Sequence, residues 1–334
     1  MRRLLITGAT GLVGSHVAQR AVEQGWPVRA LVRPESDTGF LQSLGVELYP
    51  GDLDGNSFPG SLSGVTHVVH CAAKVGDWGK TEDYRAVNVR ALEQLLLQLE
   101  QQHLQAEQQP LQRFVHLSSL GVYPARDHYG TDELEPISLT GLDGYTRTKA
   151  EAEQLVLEHI RDHNLPAVVL RPGFIYGPRD RTVLPQLLKR LKSRQVRFFG
   201  SGEQLMNNTF VGNLVDAIFL ALDVPQAVGQ VYNITDGRLV TKREFLQTVA
   251  TNAGYAPPKR RVPLFLARTL VKASETLARW RGAREAPLLS SARYKFLALN
   301  LDYCIDKARR ELGYTPKVDF QEAMRDTVAW FGEN

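Results

Sequence analysis

The sequence predicts an α/β fold: a doubly wound parallel sheet followed by a smaller, mostly helical lobe. Three observations carry that reading. Short apolar runs alternate with longer helical patterns through the first half of the chain, as repeated strand–helix–strand units require. Val68-Val69 and Val168-Val169-Leu170 are unbroken apolar stretches, the mark of strands buried on both faces. A glycine-rich turn, Thr7–Gly14, lies between the first apolar run and the first helical pattern.

In chain order the spacing predicts strands at Arg3–Thr7, Val28–Val32, Val46–Tyr49, His67–Cys71, Arg113–Leu117 and Ala167–Leu170, with helices over Leu12–Gln24, Tyr84–His103 and Tyr145–His163. The Gln-rich stretch Gln94–Gln112 keeps helical spacing at Leu92, Leu95, Leu96 and Leu99, then reads as a solvated tail to Pro110. After Leu170, Arg171-Pro172-Gly173 and Tyr176-Gly177-Pro178 break the pattern. Asn213–Leu222 and Gln230–Ile234 read again as helix then strand. The organisation this implies is a dinucleotide-type unit over 1–175, with 208–234 returning to it, and a substrate lobe made of 176–207 and 235–334.

Composition excludes several classes. Lysine and arginine exceed aspartate and glutamate by only four across 334 residues, and the densest basic patch, Lys189–Arg197, has no interleaved aromatics for stacking bases. No nucleic-acid partner is expected. The two cysteines, Cys71 and Cys304, are far apart and make no disulfide framework, and no His or Cys spacing suggests a metal site. Met1-Arg2-Arg3 precedes an apolar run too short for a signal peptide, and no segment is long enough to span a membrane. A cytoplasmic protein is the expectation.

The chemistry-bearing motifs fall at strand ends. Thr7-Gly8-Ala9-Thr10-Gly11-Leu12-Val13-Gly14 follows a strand and opens a helix, where glycines let the backbone approach a pyrophosphate and free helix N–H groups can hold it. The second strand ends in Val32-Arg33 rather than an acidic residue, which favours a 2′-phosphate over a 2′-hydroxyl, and so NADP(H) over NAD(H), with a plain surface arginine as the lesser reading of Arg33. Asp52 and Leu53 follow the third strand and could meet an adenine edge. Ala72 and Ala73 follow the fourth and leave room for a dinucleotide. Tyr145 and Lys149, four residues apart at the start of a helix, share one face. An ammonium nearby would favour the phenolate of a tyrosine whose ordinary pKa is about 10. Ser118 and Ser119 end the fifth strand and would offer hydroxyls beside it.

These motifs in this order resemble the extended short-chain dehydrogenases/reductases of the NAD(P)-dependent epimerase/dehydratase superfamily, which have Rossmann-type sheets. The resemblance runs from TGATGLVG at Thr7–Gly14 through GDL at Gly51–Leu53, HCAA at His70–Ala73, VHLSSLGVYP at Val115–Pro124, YTRTK at Tyr145–Lys149 and RPGFIYGP at Arg171–Pro178, down to DKARRELGYTP at Asp306–Pro316. It implies that Tyr145 is the acid/base, that Lys149 binds ribose and tunes it, and that Ser119, four residues before Tyr123, polarises a carbonyl. It also implies that Asn88, with Pro172, Gly173 and Ile175, lies near the cofactor. AAKVGDWG at Ala72–Gly79 is similar to the 3β-hydroxysteroid dehydrogenase-like group and to 2-alkyl-3-oxoalkanoate reductases. Arg33 departs from the acidic residue common in the former.

Lys74, Trp78, Ser119 and Tyr176 are the expected substrate contacts, with Trp78 equally readable as a loop anchor. Leu266, Leu270, Ala273, Leu277 and Trp280 make an apolar stripe at spacings of three and four, read first as a core or lid face. Arg268, Lys272, Arg279 and Arg281 surround it and leave a membrane-surface helix as the other reading. The expected activity is interconversion of a ketone and a secondary alcohol on a hydrophobic, steroid-like or 3-oxoacyl-like substrate, by a dimer of the family's usual kind. The rivals are a nucleotide-sugar epimerase or dehydratase, for which Arg179, Arg181 or Arg194 could bind the diphosphate, and a non-catalytic NADPH-binding subunit.

Overall fold

The computed structural model describes residues 2–53, 58–103, 110–281, 283, 287 and 290–333. Seven strands form one parallel sheet: β1 (Leu4–Thr7), β2 (Val28–Val32), β3 (Glu47–Pro50), β4 (His67–His70), β5 (Arg113–Leu117), β6 (Ala167–Pro172) and β7 (Val231–Ile234). Their spatial order is β7-β6-β5-β4-β1-β2-β3, so the direction of winding reverses between β1 and β4. That reversal opens a crevice at the carboxyl ends of the strands.

The central strands are largely apolar because both faces of the sheet are covered. Helices α1 (Leu12–Glu23), α2 (Ala91–His103), α3 (Gly144–His163) and α4 (Val211–Asp223) do the covering. On one face Leu4, Ile6, Val69, Val115, Val168 and Leu170 pack against Val17, Ala18 and Ala21 of α1 and Leu214 and Ile218 of α4. On the other, Leu5, Val68, Phe114 and Val169 meet Leu92, Leu95, Leu96 and Leu99 of α2 and Ala152 and Val156 of α3. Alternate residues of each strand thus enter opposite cores.

The predicted helix Tyr84–His103 is interrupted. A short helix, Thr81–Arg85, passes through a π-helical turn, Ala86–Arg90, before α2 begins. The extra residue in that turn lets Asn88 point inward, where its amide serves the loop after β4.

Beyond β6 a second core gathers Tyr176, Leu184, Phe198, Met206 and Phe210 with α5 (Lys242–Asn252) and, further along the chain, Phe320, Met324 and Val328. The helix α6 (Leu264–Trp280) departs from the first expectation for its stripe. Its inner face carries the buried Ala267 and Val271, and Ala267 packs with Phe199, Tyr294 and Ala298. Leu266, Leu270, Leu277 and Trp280 face outward, because the short side chains on the other side let the helix lie closer to its support. The side chains of Arg268, Lys272 and Arg279 lie outside the described residues, and Arg281 is exposed. Among the described residues, no helix is long and apolar enough to cross a membrane.

One buried ion pair ties these layers together. Arg171, in β6, donates from Nε to Glu153 Oε1 of α3 at 3.0 Å, and both side chains are almost wholly buried. Ser118 Oγ, just after β5, donates to the other carboxylate oxygen at 2.5 Å. Arg171 also donates to the Tyr123 hydroxyl at 2.6 Å, which in turn donates to Asn233 of β7 at 2.9 Å. Glu153→Gln would leave the guanidinium buried without its counter-charge, so a loss of about 3–5 kcal/mol is expected. Urea denaturation of the purified variant checks this, and an unchanged midpoint would remove the pair from its structural role.

Candidate active site and dinucleotide cradle

The turn after β1 is shaped by close backbone approach. Gly8 has φ of +67°, and a Cβ there would lie 2.7 Å from the Ala72 amide nitrogen. A Cβ on Gly14 would lie 2.3 Å from the Gly8 carbonyl oxygen. Both glycines are therefore required for the loops after β1 and β4 to touch and for α1 to sit tightly behind the turn. Gly11 caps α1 without any side-chain acceptor, and no acidic residue occupies the first helical turn. The helix start thus offers backbone N–H groups to an anion with no carboxylate competing for them. Thr10, Gly11, Leu12 and Val13 are all at least partly exposed there. This cradle fits the pyrophosphate of a dinucleotide.

The floor of the crevice is polar in one row. Thr7, His70 and His116 are in register across β1, β4 and β5. Thr7 Oγ1 and His70 Nδ1 share a hydrogen bond of 2.9 Å, and the Ala72 amide donates to the same threonine at 3.3 Å. The His70 and His116 rings stack with centroids 5.6 Å apart. Burial, and behind it the charge of Lys149, lowers His70 to about 3 and His116 well below its ordinary value, so both are neutral. This row was missed in the sequence, although polar residues ending otherwise apolar strands were the available signal.

Lys149 stands on this floor. Its ammonium donates to the Leu117 carbonyl oxygen, the last residue of β5, and is 4% exposed. Burial lowers it to about 8, against the opposing pull of Glu153 and Cys71. One helical turn earlier is Tyr145, half-buried and hydrogen-bonded to Ser119. Burial raises its pKa above the ordinary value, outweighing the Ser119 hydrogen bond. The expected lowering of the phenol by Lys149 is thus not found in this state: the ammonium turns to a backbone carbonyl, and desolvation dominates.

The two serines have different surroundings. Ser118 is buried and spends its hydroxyl on Glu153. Ser119 is partly exposed, and its Oγ accepts from the Gly121 amide at 3.0 Å, capping the short turn Leu120–Val122. Asp143 caps α3, accepting from the Thr146 amide at 2.7 Å, and so fixes the helix start that presents Tyr145. Lys295, in the helix Ser291–Ala298, donates to the carbonyls of Gly121 and Tyr123 at 3.0 Å and braces the Ser119 loop from outside.

Asn88 is buried and positions rather than faces the crevice. Its amide accepts from the Lys74 N–H at 2.7 Å, donates back to the Lys74 carbonyl at 3.1 Å and donates to Thr148 of α3 at 3.0 Å. It fixes the loop of Ala72, Ala73 and Lys74 to the helix carrying Tyr145. The Lys74 side chain is exposed, with its ammonium 5.5 Å from the centre of the Tyr84 ring.

Several expected contacts are placed elsewhere. Tyr176 is fully buried in the second core and donates to Asp236 at 3.1 Å, so it cannot line a substrate pocket. Trp78 donates its indole N–H to the Ala283 carbonyl at 2.9 Å, which makes it a loop anchor. Leu53 is buried with Leu31, Phe58 and Leu62 and has little surface left for an adenine, whereas Asp52 beside it is partly exposed. Pro172 is buried as the last residue of β6. Gly173 is needed because a Cβ would lie 1.8 Å from the Asn207 carbonyl oxygen, and Ile175 contributes mainly to core packing.

Arg33 is exposed at the end of β2, with Glu35 3.3 Å away. Nearby, Arg181 pairs with Asp37 at 3.1 Å, and Arg179 lies over the Phe40 ring and donates to Gln19 of α1 at 2.9 Å. These last two arginines therefore sit beside α1 and the loop after β2. Glu100, His159 and His163 also converge at one edge, with Glu100 Oε1 2.5 Å from His159 Nδ1; the i,i+4 spacing of the two histidines was the signal available for it.

Residues 4–235 match the NAD dependent epimerase/dehydratase family. The chain is 32% identical to a 4-hydroxy-2-methyl-3-oxo-4-farnesyl-3,4-dihydroquinoline-1-oxide ketoreductase of Stigmatella aurantiaca, over 96% of this chain and 94% of that one. It is 30% identical to a 2-alkyl-3-oxoalkanoate reductase of Stenotrophomonas maltophilia, over 97% of each. A 3-beta-hydroxysteroid dehydrogenase of Mycolicibacterium neoaurum is also 30% identical, over 98% of this chain and 91% of that one. The crystal structure of gox2253 superposes with a TM-score of 0.82 at 29% identity, covering 100% of this chain and 98% of that one. A UDP-glucuronic acid 4-epimerase of Bacillus cereus, at 21% identity and a TM-score of 0.77 over 99% of each chain, shares the fold. The glycine cradle, the seven-stranded sheet and these relatives agree: the chain belongs to the NAD dependent epimerase/dehydratase family, as an enzyme of the extended short-chain dehydrogenase/reductase type.

Proposed function

We propose that this enzyme uses NADPH to reduce a ketone on a hydrophobic substrate to a secondary alcohol. The observation that carries the reading is the hydroxyl pair of Ser119 and Tyr145 at the carboxyl ends of the strands, with Lys149 buried beneath. Ser118, spent on Glu153, leaves Ser119 as the hydroxyl available to a substrate oxygen. Reductases of a farnesyl-bearing ketone and of 2-alkyl-3-oxoalkanoates among the relatives point to the same substrate class.

A dinucleotide held in the glycine cradle would supply the hydride. Ser119 holds the carbonyl oxygen, and Tyr145 gives it a proton from a phenol that burial keeps protonated. The Lys149 ammonium, fixed by Leu117, holds the ribose and adds positive charge below the phenol. Asn88 keeps the Lys74 loop in register with α3. Arg33, now paired with Glu35, would hold the 2′-phosphate.

Optical assay of NADPH and NADH oxidation against 3-oxo steroids, 2-alkyl-3-oxoacyl compounds and simple aromatic ketones tests the reading. Turnover on one class is expected, with Tyr145→Phe lowering kcat/KM by about a hundred- to ten-thousand-fold. Full turnover by that variant would sink the mechanism, and tight cofactor binding with no ketone consumed would favour sugar epimerisation. Arg33→Ala is expected to raise KM for NADPH about ten- to a hundredfold and to leave NADH unchanged. Equal effects on both coenzymes would refute the 2′-phosphate role.

The lowered Lys149 pKa adds a pH dependence. NADPH affinity, measured by fluorescence titration, should weaken as pH rises through about 8, and the limb should be absent in Lys149→Met. Unfolding does not mimic this loss. A lysine lowered to about 8 in the fold and titrating near 10.5 when unfolded contributes stability that grows with pH across that window. A wild-type affinity flat from pH 7 to 10 would refute it.

A further inference from the structure

The outer face of α6 is an exposed apolar surface that the proposed reaction does not use. Phe265 is 72% exposed and Trp280 is 82% exposed, one near each end of the helix, with Leu266, Leu270 and Leu277 exposed between them. Thr269, Ala273, Thr276, Leu277 and Trp280 line a shallow depression along it. A run of this kind costs free energy in water, and isolated exposed leucines do not explain so ordered a row.

Charge identifies what covers it. Between residues 259 and 284 the sequence has eight lysines and arginines and one acidic residue, Glu275. Lys259, Arg260 and Arg261 are exposed before α6, as is Arg281 after it. Glu275 is turned to the protein, accepting from the Ser291 amide at 2.6 Å and from its hydroxyl at 3.0 Å. Two such faces pressed together would set like charges against each other. An anionic surface with an apolar interior matches both the bases and the stripe. We infer that α6 lies in the plane of an anionic lipid bilayer, its outer stripe in the acyl boundary and its flanking bases among the headgroups.

The position gives the docking a purpose. Directly after α6, the Ala283 carbonyl accepts from the Trp78 indole, and Asp77 beside it accepts from Ser290 at 3.0 Å and pairs with Arg293 at 2.6 Å. The loop that also carries Lys74 is thus joined to the docked segment. A lipophilic ketone would pass from the bilayer past this loop to Ser119 and Tyr145. That purpose rests on the proposed reduction, and the docking itself does not.

Sedimentation of the full chain with vesicles of phosphatidylcholine, alone or mixed with phosphatidylglycerol, tests the inference. Binding to the mixed vesicles is expected, weakened by salt and reduced about tenfold or more by Leu270→Ser, Leu277→Ser and Trp280→Ser together. Brominated lipid should quench tryptophan emission, and Trp280→Phe should abolish most of the quenching while still binding. NADPH affinity serves as the folding control for the triple variant. No binding to mixed vesicles, or equal binding by a folded triple variant, would overturn the docking. So would a concentration-dependent dimer, seen by ultracentrifugation, that the triple substitution dissolves while vesicles stay unbound. If vesicles bind but no ketone is reduced, the docking stands and the proposed reduction fails.

Discussion

The buried Arg171–Glu153 pair is the constraint on which the site's geometry depends. α3 crosses the sheet with Tyr145 and Lys149 near its start, and its apolar face alone would let it slide or rotate over the strands. Glu153 lies one turn beyond Lys149 and is locked to β6 by Arg171 and to the end of β5 by Ser118. Tyr123 and Asn233 extend the same network to β7. Four elements thus share one set of polar contacts in a medium where an unpaired charge is costly. That shared cost selects one register for the helix and so one position for the phenol and the ammonium.

A second constraint acts from the opposite side of the crevice. The loops after β1 and β4 approach so closely that a single methyl group on Gly8 would meet the Ala72 backbone. The contact fixes the separation between the glycine cradle and the strand ends. Asn88 then carries the position of the β4 loop across to α3 through Thr148. The glycine turn and the tyrosine helix are therefore held at one spacing by backbone contact and a single buried amide.

Legibility from sequence followed how locally each feature is determined. The strands were readable because burial on both faces leaves unbroken apolar runs, as at Val168–Leu170. The glycine turn was readable because its geometry forbids other residues. The π turn at Ala86–Arg90 was not, since its cause lies in the partner that Asn88 meets fourteen residues upstream at Lys74. Tyr176 failed for a similar reason: an aromatic residue after a Pro-Gly break looks like a pocket wall until Asp236, far along the chain, captures its hydroxyl. The stripe of α6 was found correctly, but periodicity gives only the face and not which way it points. Its direction depended on which side found partners: Ala267 packs with Phe199 and Ala298, while Leu266, Leu270 and Leu277 stay exposed.

Burial tunes the two central groups in opposite senses, and the resting site's protonation follows from that. Desolvation disfavours charge, so it raises the Tyr145 phenol and lowers the Lys149 ammonium. A general acid has to arrive at the reaction with its proton in place, and a phenol held above its ordinary pKa does so throughout the neutral range. A general base would need the reverse. In the reduction proposed above, that neutral phenol is the proton donor to the substrate oxygen. Working in the other direction, the same tyrosine would need added positive charge in the crevice before it could accept a proton. The neutral row of Thr7, His70 and His116 beneath it supplies none, which leaves Lys149 as the charge that the floor provides.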